Sequence, residues 1–476
     1  MTARLFLFEA RRMARHPLVW GMTALVVAVQ AYLTRDQAPH WGIDPVHATG
    51  LSTCLAGAVL VVAGLAVSRD GRHGMPESLG ALPGRAEHRT RAVLLAAPLV
   101  AGVAAAVAMS GYMAIRLASG PAAGRLDPWE PLTAVAVAAL AATLGAAVGR
   151  WLRRLIAGPL VVAVLGYLIF TTDRYEGSAW LLPVMQFHRA DWPDRPSAVH
   201  LAYVVALAVL FAGIALLRHR VRPGPSVAVV AALAVAAPTG AAAAAEPPPP
   251  RPRPGTFTAA DVDPRVRERY FGPGARRCSV RHGITYCAYR GYEAWVPLWE
   301  QAVRPAADAL PPAVRARLPR VEQTSFTWYY GEDSKTRLRP SMTWGPQDQR
   351  TLLAVSLALW ATGLSIPGGS AERTGCDASG QARTLVALWI IGQVAPPEPP
   401  RMYVVDDGFG VEYLVRWGAP EIGYAKRLLA DRRARERVHA HWDTLMRPGT
   451  TVEQALPLLG LKPAYHLPPT TGTPCP

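Results

Sequence analysis

The sequence predicts an all-α polytopic membrane domain of about seven transmembrane helices, followed by an extracytoplasmic α+β domain. Three observations carry this. Long apolar runs crowd residues 1–250 of the 476, the arginines favour alternate connecting loops, and four of the five cysteines lie beyond residue 277. The chain holds 50 Lys plus Arg against 34 Asp plus Glu and is 51% apolar, which excludes a disordered chain. All but three of the basic residues are arginine (the lysines are Lys335, Lys426 and Lys462), and residues 1–250 carry 21 of them against 29 in residues 251–476. Charge spread this evenly reports topology and does not point to nucleic acid.

The segments 18–33, 51–68, 92–115, 132–149, 155–171, 199–217 and 226–245 each approach the roughly 20 residues that cross a hydrocarbon core. The run 92–115 has no charge over 24 residues, whereas 226–245 is alanine-rich and broken at Pro238. Interruptions by Gly and Pro are better tolerated in lipid-embedded helices than in soluble ones. Arginine stays cytoplasmic in short loops. With the N-terminus inside, the inner segments hold fifteen arginines: 4, 11, 12, 15, 69, 72, 85, 89, 91, 150, 153, 154, 218, 220 and 222. The outer loops hold six, Arg35, Arg116, Arg125, Arg174, Arg189 and Arg195. No span at these limits contains an ionisable relay, which argues against a proton- or sodium-coupled carrier.

An odd number of spans exports everything after residue 245. The cysteines agree, because disulfides persist in oxidising compartments. Cys278 and Cys287 flank a short segment that reads as a bridged hairpin, and Cys376 with Cys475 forms a second candidate pair. No CxxC pair or His-x3-His string accompanies them, so no metal site is expected. Arg218, Arg220 and Arg222, then an apolar run, then Ala241–Ala245 read either as a retained anchor or as a signal cleaved near Ala245. Both readings export the tail.

No nucleotide-binding loop is present, since none of the three lysines stands in a Walker pattern. Two stretches resemble the permease subunits of type 2 ABC exporters, over roughly residues 1–220. The first, Leu5-Phe6-Leu7-Phe8-Glu9-Ala10-Arg11-Arg12-Met13-Ala14-Arg15-His16-Pro17-Leu18, is similar to the amphipathic segment with which such permeases open. Arginines beside Phe6, Phe8 and Met13 suit an interfacial helix over 1–17. The second is the loop 69–91, in which Pro76-Glu77 opens a helical turn, Leu79 and Leu82 share a face, and Pro83-Gly84 stops it. In the exporters the matching element is the coupling helix that docks on the ATPase. The resemblance implies that Pro76, Glu77, Leu79, Leu82 and Pro83 form that element here, with Glu77, Leu79 and Leu82 touching the partner. It also implies six permease-like helices within 18–222, and a small extracellular element in 172–198 carrying Trp180, Leu181, Leu182, Pro183, Val184, Met185, Phe187 and Trp192. A usual permease has no seventh span and no large tail.

Residues 246–255 form a stiff Pro-rich linker of about 3 Å per residue. In the tail, 256–476, a strand is expected over Val321–Tyr330 and helices over Gln347–Gly363 and Gln381–Gln393, the latter two too short to span. A hairpin is expected from Met402–Val405 and Val411–Trp417 around Asp407-Gly408. Ala425–Arg447 reads as one amphipathic helix with Ala434, Val438, Trp442 and Leu445 on a face. Thr451-Val452-Glu453-Gln454 carries a capping pattern. Tyr289, Tyr292, Trp295 and Trp299 read as core. Neither HExxH nor GxSxG occurs, and His439-Ala440-His441-Trp442-Asp443 lies within helix, where residues two apart diverge. The arginine run 432–437 reads as a solvated face.

The expected function is the membrane-spanning subunit of an ABC-type exporter, without enzyme activity, cofactor or metal of its own. ATP would be bound by a separate cytoplasmic ATPase, and a second permease chain and membrane lipid complete the partners, with no nucleic acid. The expected place is a bacterial plasma membrane, multi-pass, with the N-terminus cytoplasmic. The alternative is a non-transporting anchor that presents an extracytoplasmic binding or sensing domain.

Overall fold

The structure is a computed structural model of the whole chain. It describes residues 2–72, 86–152, 154–172, 177–185, 188–190, 194–219, 222–245, 264–325, 337–345, 348–364, 376–396, 403–406, 412–466 and 474–475. The chain divides into two compact units, Met1–Arg35 with Pro39–Arg251, and Asp36–Ala38 with Pro252–Pro476.

The first unit is helical: α1 Thr2–Ala14, α2 Pro17–Leu33, α3 Asp44–Leu51, α4 Thr53–Arg72, α5 Ala86–Ala118, α6 Trp129–Leu152, α7 Ala157–Thr171, α8 Ser197–Leu217 and α9 Pro223–Ala244. Helices α3 and α4 join through Ser52, itself helical in backbone. Among the described residues five helices are long and apolar enough to cross a membrane, or six if α1 and α2, bent by 48° at Arg15-His16, count as one broken span. Proline at the first position of α2 accounts for that bend, since its ring favours a helix start and ends the one before. The expected span 155–171 folds as the 15-residue α7. At 1.5 Å per residue it rises only about 22 Å, short of a hydrocarbon core of roughly 30 Å.

Side-chain placement inverts that of a soluble helix. On α5, Leu95, Leu99, Val103 and Val107, spaced four apart, are about half exposed, while Ala97, Ala101, Ala104, Ala105 and Ala108 are buried. On α7, Leu160, Val164 and Tyr167 are exposed, Phe170 by 78%. Small residues inside and large apolar residues outside is the arrangement lipid permits, because close backbone packing drives helix association there. The closest approach joins α4 to α6. A Cβ on Gly145 would meet the Leu60 backbone and one on Gly149 the Gly64 backbone, both inside 3 Å. Hydroxyls inside these helices are satisfied locally: Thr23, Thr49, Ser52, Thr133 and Thr143 each donate to a carbonyl of the preceding turn.

Two contacts set the direction of the helices. Glu130, in the first turn of α6, meets Arg195, just before α8, and Arg150, in the last turn of α6, meets His219, just after α8. Helices α6 and α8 therefore run the same way, so the segment between them returns from one end of the bundle to the other. That return contains α7, which runs antiparallel to α4, with Val162 beside Gly57 and Gly158 beside Val61.

One expectation for this unit needs correction. Met13 is not in an interfacial face but buried with Glu9 in the helix bundle, while Leu7, Phe8, Arg11 and Arg12 are exposed. Trp180, in the short 3-10 turn Gly177–Leu181, is also buried, against Ala243 of α9 and Met185. Phe187 and Trp192 lie outside the described residues.

The second unit comprises α10 Pro264–Phe271, β1 Arg276–Arg281, β2 Ile284–Tyr289, α11 Val296–Asp308, α12 Pro312–Arg315, β3 Arg320–Glu322, β4 Arg337–Leu338, α13 Asp348–Thr362, β5 Cys376–Asp377, α14 Ala382–Ile391, β6 Tyr403–Asp406, β7 Glu412–Arg416, α15 Ala419–Ala430, α16 Ala434–Ala440, α17 Trp442–Leu445 and α18 Val452–Leu458. One sheet has the order β1-β2-β3-β4, antiparallel at β1-β2 and parallel thereafter; the other has the order β5-β7-β6. The hairpin of β6 and β7 is antiparallel as expected, and every residue of α14 is buried. Of the strand expected over 321–330, Arg320–Glu322 is strand and residues 326–330 lie outside the described set.

The helix expected over 425–447 is three. Asp431 leaves the helical region (φ −90, ψ 117), and its carboxylate accepts from the Arg433 backbone to open α16. His441 interrupts again before α17. Ala434, Val438, Trp442 and Leu445 are all buried, so the apolar face is real although the helix is not continuous. Thr451 and Gln454 form the expected capping box of α18.

Candidate functional site

The residues expected to contact an ATPase, Pro76, Glu77, Leu79, Leu82 and Pro83, lie outside the described residues. Their flanks are described, and the helix ends there form a network. Before the loop, Arg69 of α4 bonds Glu9 of α1 at 3.1 Å. After it, Glu87 stands in the first turn of α5, where the helix dipole favours an anion. Its carboxylate accepts from Arg91 at 2.6 Å and from Arg222, the N-cap of α9, at 2.9 Å.

One turn further, Thr90 Oγ1 lies 2.8 Å from His219 Nε2, and Arg150 Nη2 lies 3.1 Å from His219 Nδ1. Guanidinium can only donate, so Nδ1 accepts and the Nε2–H donates to Thr90. That requires a neutral ring. Burial, then the Arg150 charge, depresses the His219 pKa to about 4, in agreement. The chain leaving the loop is thus tied directly to the ends of α6 and α8 and the start of α9, and the chain entering it to α1.

The opposite end of the bundle holds a second network. Arg116, in the last turn of α5, is 2% exposed; its Nε donates to Asp44 Oδ2 at 2.8 Å and its Nη1 to the Thr34 carbonyl at 2.7 Å. Asp44 also accepts from the His40 backbone at 2.9 Å. Glu130 and Arg195 form a looser buried pair at 3.6 Å. His40 sits in the loop between α2 and α3, its Nδ1 accepting from Gly42, and burial lowers its pKa to about 3. Gly124 (φ +87) packs against this ring so closely that a Cβ would strike it.

The hydropathy limits 51–68, 92–115 and 132–149 stop short of Asp44, Arg116 and Glu130. The structure extends the helices over them and buries them, which removes the argument drawn from uncharged spans. The signal available in sequence was a charged residue within a turn or two of each apolar run.

In the second unit, Cys278 and Cys287 face each other across β1 and β2 and are bridged (S–S 2.00 Å), and Cys376 is bridged to Cys475 (S–S 1.98 Å). Arg383 adds a clamp, donating to the Cys475 carbonyl at 2.7 Å. Tyr289, Tyr292, Trp295 and Trp299 are buried core. His439 Nε2 meets the Ala309 carbonyl at 2.8 Å, and no group of three or more metal-binding side chains occurs among the described residues. The Thr90 hydroxyl lies against His219, but the ring nitrogen facing it carries the proton and cannot take one from the hydroxyl. The other contacts of both networks are mainly charges joining helix ends, an arrangement suited to being made and broken as helices move. No family model, curated protein or solved structure matches the chain.

Proposed function

We propose that this chain is the membrane-spanning permease subunit of an ABC-type exporter, driven by a separate cytoplasmic ATPase, with the tail as an extracytoplasmic accessory domain. The carrying observation is the wiring of the loop flanks: Arg69 to Glu9, Glu87 to Arg222, and Thr90 through His219 to Arg150. A displacement of the helix ends at Arg69 and at Glu87–Thr90 acts at once on α1, α5, α6, α8 and α9, which is what transmission from a docked ATPase needs. Glu77, Leu79 and Leu82 are the residues assigned to that contact.

The sidedness is part of the proposal. Because α6 and α8 run the same way, the connector holding α7 counts as a crossing, which supports seven crossings and a tail opposite the N-terminus. Two disulfides in the tail support an oxidising compartment. The expected test is affinity purification of the chain from its native membrane. An ATPase with Walker motifs co-purifies with the parent and is lost from Glu77→Arg, in which the contact charge is reversed. Equal recovery of the ATPase with both overturns the contact assigned to Glu77, and recovery with neither overturns the permease reading and leaves a tail presented by a non-transporting anchor.

A further inference from the structure

We propose that Asp44 and Arg116 form a latch that holds shut the end of the bundle opposite Arg69 and Glu87, and that this latch must part before the end can open; its role in export rests on the function proposed above. Three helix termini meet there. Asp44 lies in the first turn of α3, where the dipole favours a carboxylate, and Arg116 in the last turn of α5, where it favours a cation. The guanidinium also takes up the Thr34 carbonyl at the negative end of α2. Each charge therefore sits where its own helix stabilises it and also neutralises the other. Tyr112, one turn before Arg116, adds a 3.3 Å bond from its hydroxyl to Thr34.

The latch joins parts that are otherwise unequally held. Helices α4 and α6 are fused by the backbone contacts of Gly64, Gly145 and Gly149. Asp44 belongs to the α3–α4 stack in that block, whereas Arg116 and Thr34 belong to α5 and α2. Residues 73–85 join the other end of α4 to the other end of α5. A force on that loop bears on the same two helices whose far ends Asp44 and Arg116 tie together. Both side chains are at least 96% buried, 3% and 4% exposed, so removing one leaves an uncompensated charge. The closed end then loses much of its advantage over an open, hydrated one.

The test uses the full chain in membrane vesicles, with Cys54→Ser to remove the free thiol and Ala48→Cys as reporter. Ala48 is 4% exposed and packs with Met109, Tyr112 and Ala134 beside the latch. The rate of labelling by a membrane-impermeant maleimide is read from the side of the tail. Arg116→Gln is expected to raise that rate by about 100-fold, and Asp44→Asn similarly. The exchange Asp44→Arg with Arg116→Asp restores the pair against both helix dipoles and is expected to recover protection in part. Arg116→Lys serves if Arg116→Gln does not fold; it keeps the charge, loses one of the two bonds, and is expected to label at an intermediate rate. Labelling of the variants at the parental rate overturns the latch. The measurement needs no ATPase. Failure of ATP to change labelling when the co-purified ATPase is present counts against the export reading alone.

Discussion

Replacing Gly145 by alanine tests the packing on which the helix bundle rests. A Cβ there would lie 2.8 Å from the Leu60 carbonyl carbon and 2.9 Å from its Cα, with the carbonyl oxygen nearer still. These are backbone atoms, so no side chain can rotate away. Ordinary contact begins near 3.4 Å, and α4 and α6 must part by at least about 0.6 Å, a gap that forfeits a quarter to a half of the dispersion energy of the atoms lining it. Ala142 and Ala146, both fully buried, belong to the same apolar cluster as Leu55, Val59 and Ala63 of α4. Overpacking of this kind costs about 1–3 kcal/mol. Gly166 of α7 has nothing within 4 Å, so Gly166→Ala is the control and gains up to about 1 kcal/mol of helix propensity. The assay is unfolding of the purified full-length chain by titrating a denaturing detergent into mild micelles, followed by tryptophan fluorescence. Gly145→Ala should unfold at a clearly lower denaturant fraction than the parent, and Gly166→Ala at or above it. Coincident curves for the two alanine variants would refute the glycine crossing.

The two disulfides should differ in worth. The Cys376–Cys475 bridge closes a separation of 99 residues and Cys278–Cys287 one of 9. Loop-closure entropy assigns them about 4.7 and 2.6 kcal/mol, so Cys376→Ser with Cys475→Ser should lower the thermal midpoint of the tail transition more than Cys278→Ser with Cys287→Ser, and the reverse order would contradict this. Acid should also destabilise the chain through His40. Its folded pKa of about 3 lies below the ordinary 6.5, so as the pH falls through 6.5 the unfolded state takes up the proton first. The stability is fully present above pH 6.5 and is lost towards pH 3, with a slope of up to about 1.4 kcal/mol per pH unit. His40→Asn keeps an acceptor for Gly42 and should flatten thermal unfolding against pH in that window; an unchanged slope would rule His40 out as the source.

What could be read from the sequence, and what could not, follows from the range of the interactions involved. Hydropathy located the apolar helices because lipid acts on each run independently. It cut them short at Asp44, Arg116 and Glu130 because the partners that neutralise those charges lie far along the chain, Arg116 being 72 residues from Asp44. The α4–α6 crossing did have a local signature, glycine at 145 and 149, which places two small residues on one helix face. In the tail, α13, α14 and the β6–β7 hairpin were legible from periodicity and turn chemistry. The break at Asp431 was not, since an aspartate reads as helix surface until its carboxylate is seen capping the next turn. The parallel pairing of β2, β3 and β4 is long-range and leaves no local pattern. The Glu87, His219 and Arg222 network is likewise invisible to spacing, because its members belong to separate helix ends.

The most direct measurement is the location of the two termini in the native membrane, read by fusing alkaline phosphatase or a green fluorescent reporter to each. Seven crossings with the tail exported predict an active phosphatase and a dark fluorophore after Pro476, and the opposite pair at the N-terminus. Fluorescence after Pro476 with an inactive phosphatase would place the tail beside the N-terminus and contradict the account at its root.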